Sequence, residues 1–282
     1  MKKIFRLLLC FFMLVPLISC TKKPIPVLTD EQAESTVVID EPLIMDHIEE
    51  VNVETADYEL DAIYVNGDRG YYGRRYASID AIDMDYSDIY AIYIRDFVGN
   101  DLSCFEVFTE IQSLTIYDSH IADFQSICKF PKLESLDIDS TDIGDLHFLN
   151  NLYTLNDLSL SNCGLEDISE LSSLIDLETL GLNGNNISDI TPLQNLVNLR
   201  KLCLSANDIS DLSVIANMSF LEELILIVRN YGITSIKPLE KLEHLKWVQV
   251  SAAVFENIPD SELEKYGGRG DWGSNDYVIE VD

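Results

Sequence analysis

From Ile89 onward one apolar pattern returns every 22 residues, Leu-x-x-Leu-x-Leu-x-x-Asn-x-Ile-x-Asp-Ile-x-x-Leu-x-x-Leu, and a register of this kind leaves a chain few ways to fold. Its clearest copy reads Leu177, Leu180, Leu182, Asn185, Ile187, Asp189, Ile190, Leu193, Leu196. Copies begin at Ile89, Ile111, Leu133, Leu155, Leu177, Leu199 and Leu221, and a partial one follows, after 24 residues, at Leu245. Leu180 and Leu182 stand two apart, as on one face of a strand, whereas Ile187, Ile190 and Leu193 follow at turn-like and helical spacing. One unit cannot bury its apolar side alone. Successive units must therefore stack with strands in parallel, their leucines closing into one core.

This pattern resembles the leucine-rich repeat family, and Ile187 to Leu193, Ile-x-Asp-Ile-x-Pro-Leu, resembles the 22-residue subclass found in bacterial internalins. The expected fold is an α/β solenoid: a curved stack of short parallel strands with 3-10 or helical return segments. It would comprise seven full copies of 22 to 24 residues, a partial copy and two caps. The expected organisation is a signal peptide at 1–19, a tether at 20–56, an N-terminal cap at 57–88, the solenoid at 89–252 and a C-terminal cap at 253–282. Within the N-terminal cap, Leu60, Ala62 and Tyr64 alternate and Gly67 to Gly73 reads as a glycine-rich turn; within the C-terminal cap, Tyr277-Val278-Ile279 reads as a strand.

Position nine departs from the family pattern. Only Asn185 and Asn207 supply the asparagine that would satisfy backbone groups where the chain leaves the strand; Phe97, Ser119, Thr141, Cys163 and Arg229 occupy the slot elsewhere. Serine, threonine and cysteine can do part of that work, and Phe97 suggests a first copy that is half a cap. Position thirteen is steadier: Asp101, Asp123, Asp145, Asp167, Asp189 and Asp211 each precede an inward apolar residue. The row reads as a ladder of caps for the helical turns. A calcium column would need more oxygens than one carboxylate per repeat supplies.

The chain opens Met-Lys-Lys-Ile-Phe-Arg, continues through the apolar run Leu7 to Ile18, and reaches Ser19-Cys20. That run is too short to span a bilayer and has the shape of a secretory signal. Leu17-Ile18-Ser19-Cys20 resembles the bacterial lipobox, which implies a diacylglycerol on the Cys20 thiol; an ordinary cleaved signal and an uncleaved anchor are the alternatives. Thr21 to Ala56, rich in Pro, Glu, Asp and Thr, reads as a tether that cannot bury enough apolar surface to fold.

Lys and Arg number 19 against 49 acidic residues; without Lys2, Lys3 and Arg6 the excess is 33 negative charges. Nucleic acid is thereby disfavoured as a ligand, and basic or neutral partners favoured, although the same surface would keep a secreted solenoid soluble. Cys104, Cys128, Cys163 and Cys203 show no metal-ligand spacing, and a bridge between Cys104 and Cys128 is open. His47, His120, His147 and His244 fall at unrelated positions, and no phosphate loop or zinc motif occurs. No catalytic residue, metal or cofactor is assigned, and a non-enzyme is expected.

Positions three, five and seven would point onto the concave face. Its expected partner-binding residues are Tyr93, Arg95 and Tyr117 at an aromatic and basic start, Asp137, Asp139 and Asp157 in an acidic middle, then Asn183 and Lys201. Tyrosine and arginine are enriched in binding hot spots, though tyrosine also suits strands for its β-propensity alone. Ile225, Ile227 and Trp247 form an apolar end that the C-terminal cap would cover. Arg269-Gly270-Asp271 matches the tripeptide that integrins recognise, a weak match that a flexible turn explains equally.

The expected molecule is thus a monomeric surface lipoprotein of the cell envelope, lipid-anchored to a bacterial membrane and binding a protein through its concave face. The internalin resemblance implies adhesion or host interaction. The alternatives are a structural or assembly component of the envelope that binds a bacterial protein or glycan, and a hydrolase or carbohydrate enzyme with its site in a cap.

Overall fold

The structure is a computed structural model that describes residues 59–65, 71–76, 79, 82, 85–264 and 276–280. The chain divides into two units, 1–48 and 49–282, and every described residue belongs to the second. The expected signal peptide, Cys20, the tether and Arg269-Gly270-Asp271 lie outside the described residues.

The period is realised as one strand and one 3-10 turn per repeat. The strands are β1 (Glu59–Val65), β2 (Tyr71–Tyr76), β3 (Ile89–Arg95), β4 (Val98–Gly99), β5 (Ser113–Tyr117), β6 (His120–Ile121), β7 (Ser135–Asp139), β8 (Asp157–Ser161), β9 (Thr179–Gly181), β10 (Lys201–Cys203), β11 (Glu223–Leu226), β12 (Trp247–Ser251) and β13 (Asp276–Glu280). Eleven of them form one sheet in the order β13-β12-β11-β10-β9-β8-β7-β5-β3-β1-β2; β4 and β6 pair separately. Pairing is parallel from β3 to β12, with matching repeat positions opposite one another: Leu136 meets Leu158, Leu158 meets Leu180, and Leu180 meets Leu202. Both ends are antiparallel, β1 on β3 and β13 on β12, so each cap continues the sheet. Gly73, expected in a turn, lies within β2 opposite Ile63.

The core follows from the spacing. In the copy that starts at Leu177, every apolar residue of the pattern from Leu177 to Leu196 is buried. The return turns, among them Gln125–Lys129, Ser169–Ser173 and Thr191–Asn195, are 3-10 helices. Each of the six position-thirteen aspartates accepts the backbone N–H two residues on: Ser103 and Asp101, Gln125 and Asp123, His147 and Asp145, Ser169 and Asp167, Thr191 and Asp189, Ser213 and Asp211, all at 2.8 to 3.0 Å. Hydrogen bonding to the ionised form holds the Asp101 and Asp189 carboxyls below the usual range.

Position nine forms a second ladder, buried inside the bend out of the strand. Asn185 Oδ1 accepts the N–H groups of Cys163 and Leu165, and its Nδ2 donates to the carbonyls of Leu160, Leu182 and Asn183. Asn207 repeats this one copy later. In earlier copies, the Phe97 N–H donates to Ser119 Oγ and the Ser119 N–H to Thr141 Oγ1, both at 3.1 Å. The Cys163 thiol donates to Ser161 O and Ile138 O. Phe97 fills its slot without a polar atom, edge-on to Phe105 at 5.4 Å between centroids. Arg229 does not occupy the slot in the last full copy. The extra residues of that copy let Asn230 reach in, where Oδ1 accepts the Ile209 N–H and Nδ2 donates to Leu204 O. The displaced Arg229 bonds to Asp208 and, at 3.4 Å, to Asn185 O.

Position eight, just before this slot, is left-handed in all seven copies: Asp96, Asp118, Ser140, Asn162, Gly184, Ala206 and Val228 have φ between 48 and 70°. The bend requires it, and Asp, Asn and Gly tolerate it best. At Gly184 a Cβ would also stand 2.0 Å from Asn162 Oδ1.

Beyond β12 two short helices, α1 (Ala252–Asn257) and α2 (Asp260–Leu263), place Val254, Phe255, Ile258 and Leu263 on the open end of the core. Buried Glu262 accepts the Ile236 N–H at 2.7 Å and the Ser235 hydroxyl at 2.9 Å. Ser235 stands in the last copy where its predecessors carry aspartate; its Oγ accepts the Lys237 N–H at 3.3 Å, and Glu262 adds a carboxylate on the neighbouring Ile236 N–H.

Candidate partner-binding face

The strand face opposite the core has three rows. Register aligns Tyr93, Thr115, Asp137 and Ser159 in one, Arg95, Tyr117, Asp139 and Ser161 in the second, and Ser135, Asp157, Thr179 and Lys201 in the third. Six of the eight expected residues, Tyr93, Arg95, Tyr117, Asp137, Asp139 and Asp157, therefore share four neighbouring strands, β3, β5, β7 and β8. All six are half-buried. Lys201 lies two strands further along the row of Asp157, and Asn183 lies past the end of β9.

Arg95 is held by three partners on this surface. Its guanidinium carbon sits 4.9 Å from the centre of the Tyr117 ring, within cation–π range, and its nitrogens pair with Asp96 at 3.6 Å and Asp118 at 3.4 Å. Sequence reasoning does not single out Asp96 or Asp118. Their signal is the recurrence of a small or acidic residue at position eight, which marks the left-handed bend and brings those carboxylates beside position seven.

The acidic middle is electrostatically strained. Burial pushes the Asp137 carboxyl up, Asp139 repels it further, and only the hydrogen bond to Ser159 draws it down. Asp139 itself accepts from Ser140 Oγ at 2.7 Å and Asn162 Nδ2 at 2.9 Å.

The other two expected residues have local work. Asn183 Oδ1 accepts the Ser205 N–H at 3.0 Å, and Lys201 pairs with Glu223 at 3.2 Å. Positions five and seven of the middle strands alternate with the inward leucines, yet Ser159, Ser161, Gly181, Cys203 and Ser205 are buried. Their side chains are too short to rise past taller neighbours, and Ser205 Oγ accepts the Ile227 N–H at 3.2 Å. Ile225, Ile227 and Trp247 are half-buried.

The remaining candidates for chemistry are scattered. His147 Nδ1 stands 2.8 Å from Glu170, and His244 stacks on Phe220 at 5.9 Å. All four described cysteines are free thiols. Among the described residues no three His, Cys, Asp or Glu side chains could hold one metal ion, and no helix is long and apolar enough to cross a membrane.

Residues 153–195 match the family model for leucine-rich repeats in two copies. The fold is a leucine-rich repeat solenoid. Its likeness to internalin C2 of Listeria monocytogenes has a TM-score of 0.51 at 25% identity and covers 59% of this chain and 82% of that one. A second internalin from the same species, inlF, gives a TM-score of 0.47 at 22% identity over 62% of this chain and 67% of that one. No curated protein matches the sequence. Leucine-rich repeat solenoids are typically interaction scaffolds that present one extended surface to a protein partner.

Proposed function

We propose that the protein is a lipid-anchored surface protein of a bacterial envelope, and that it captures a protein partner on the strand face around Tyr93, Arg95 and Tyr117, with Asp137, Asp139 and Asp157 receiving basic side chains of that partner. The observation that carries this reading is the juxtaposition of a stacked Arg95–Tyr117 pair with a desolvated carboxyl at Asp137, which nothing cationic among the described residues compensates. Aromatic and arginine anchors beside an uncompensated charge are the features from which binding hot spots are built. A partner cation placed at Asp137 would relieve a cost the free protein bears.

The anchor is supported by the apolar run to Ile18 followed by Ser19-Cys20, and surface exposure by the likeness to internalin C2. Asn183 and Lys201 contribute at the periphery.

Pull-down from surface extracts with the full chain tests the face. A variant carrying Tyr93→Ala, Arg95→Ala and Tyr117→Ala should lose the captured partner while keeping its melting temperature, and equal recovery by both proteins would refute the site. Palmitate labelling that disappears with Cys20→Ala tests the anchor. Protease accessibility on intact cells tests exposure.

A further inference from the structure

Away from the strand face, the turn that leads from each return segment into the next strand carries one exposed apolar side chain per repeat. Tyr153, Ile175, Val197 and Phe220 are 70, 52, 41 and 45% exposed; the first three share one repeat position and Phe220 stands one residue later in the next turn, so the four lie on successive turns and form a ridge. Four aligned large apolar side chains on an aqueous surface require a reason, where single ones do not. Flanking them are Ser172, Ser173, Gln194, Asn195, Asn198 and Asn217, all exposed and uncharged. On one side the ridge is bordered by Glu178, Arg200, Glu222 and Lys246, which alternate in sign and pair successively. Exposed Asp176, directly after Ile175, is the charged exception, so with the paired row the strip carries one net negative charge in a chain of net charge −30.

We propose that the ridge is the contact through which two copies of this chain associate about a two-fold axis. Two bodies of large like charge approach with least repulsion where their surfaces are locally neutral. The spacing is self-complementary: an axis between the turns of Ile175 and Val197 sets Ile175 against the partner copy's Val197, and Tyr153 against the turn that carries its Phe220. The same axis sets the row of Glu178 against that of Arg200, three residues beyond the facing apolar pair, so opposite charges meet. Closed two-fold pairing of a single patch is the commonest symmetric assembly. The contact is small, and the association is correspondingly weak. It differs from the monomer expected from sequence, and it leaves the face around Tyr93 and Arg95 open, so the two proposals stand or fall separately.

Sedimentation velocity of the full chain from micromolar to sub-millimolar concentration reads the association directly. The wild-type chain should dimerise, and Ile175→Asp or Val197→Lys alone should weaken the dimer at least about tenfold. Val98→Asp, at an exposed apolar residue outside the ridge, should leave it unchanged. A mixture of Ile175→Asp chains with Val197→Lys chains should recover dimer, because the axis brings the introduced carboxylate of one chain beside the introduced ammonium of the other. Circular dichroism melting of each variant separates lost association from lost fold. A wild-type chain that stays monomeric throughout, ridge variants that associate like the wild type, or a mixture that recovers no dimer would each overturn the proposal.

Discussion

The Oδ1 of Asn185 accepts the backbone N–H of Cys163, 22 residues earlier, at 3.1 Å, so one side chain closes the bend of one repeat and bolts it to the next. Asn185→Ala would strand the Cys163 and Leu165 N–H groups and the Leu160 carbonyl in a dry interior. The expected loss is about 3 kcal/mol in denaturant melts, large for one polar side chain. Cys163→Asn should do the reverse, installing an amide where a thiol now makes weaker bonds, with a gain of about 1 kcal/mol.

The thiols report on the same interior. Burial pushes Cys163 up to about 12 and Cys104 up to about 11, far from the thiolate range at neutral pH. A disulfide reagent at pH 8 should leave buried Cys163 unmodified and half-buried Cys104 slow to react in the folded chain, and label both when urea unfolds it. Rapid native-state labelling of Cys163 would contradict the buried slot.

Asp137 should give stability an unusual pH dependence. Its folded-state value lies above the ordinary 3.8, so the folded chain holds that proton more tightly than the unfolded chain. The contribution is fully present below 3.8 and is lost as pH rises through the raised folded value. Asp137→Asn should therefore raise the melting temperature at pH 7, and the difference between the two proteins should shrink towards zero as pH falls below 3.8. A difference independent of pH would mean that burial does not act on the ionised carboxylate.

Glu262 ties the C-terminal cap to the solenoid through Ile236 and Ser235. Glu262→Ala should cost about 2 to 3 kcal/mol, since a charge-assisted bond to a buried N–H is lost. Ser235→Asp alone should not stabilise the fold, because it removes the hydroxyl that donates to Glu262 and sets a second carboxylate beside it. Adding Ser235→Asp to Glu262→Ala should restore part of the lost stability.

Most of the fold was legible in the sequence because its determinants repeat. Leu180 and Leu182 could be placed by period alone, and the six capping aspartates by their constant offset from the core. What stayed hidden arises where copies differ in length or side-chain height. Arg229 and Asn230 are adjacent, and the repeat count alone cannot say which turns inward; the three consecutive left-handed residues at 228–230 absorb the extra length and deliver Asn230. Ser159, Gly181 and Cys203 occupy outward positions by alternation, yet they are buried because neighbouring rows overtop them. Glu262 is 27 residues from Ser235, outside the period altogether. The aromatic and acidic clustering of the strand face was readable from position numbers. The clamp on Arg95 was not, because it depends on a backbone bend that places Asp96 and Asp118 beside it.

The position-nine ladder changes chemistry along the stack, from an apolar ring at Phe97, through single hydroxyls at Ser119 and Thr141 and a thiol at Cys163, to amides that each grip several backbone groups at Asn185 and Asn207. The expected consequence is a solenoid stiffer towards its C-terminal half. Tyr93, Arg95 and Tyr117 sit at the end where no buried amide joins neighbouring bends. Under the proposed binding role, that end would be the one best able to mould itself to an incoming surface, and amide exchange should be fastest there and slow progressively towards Asn207.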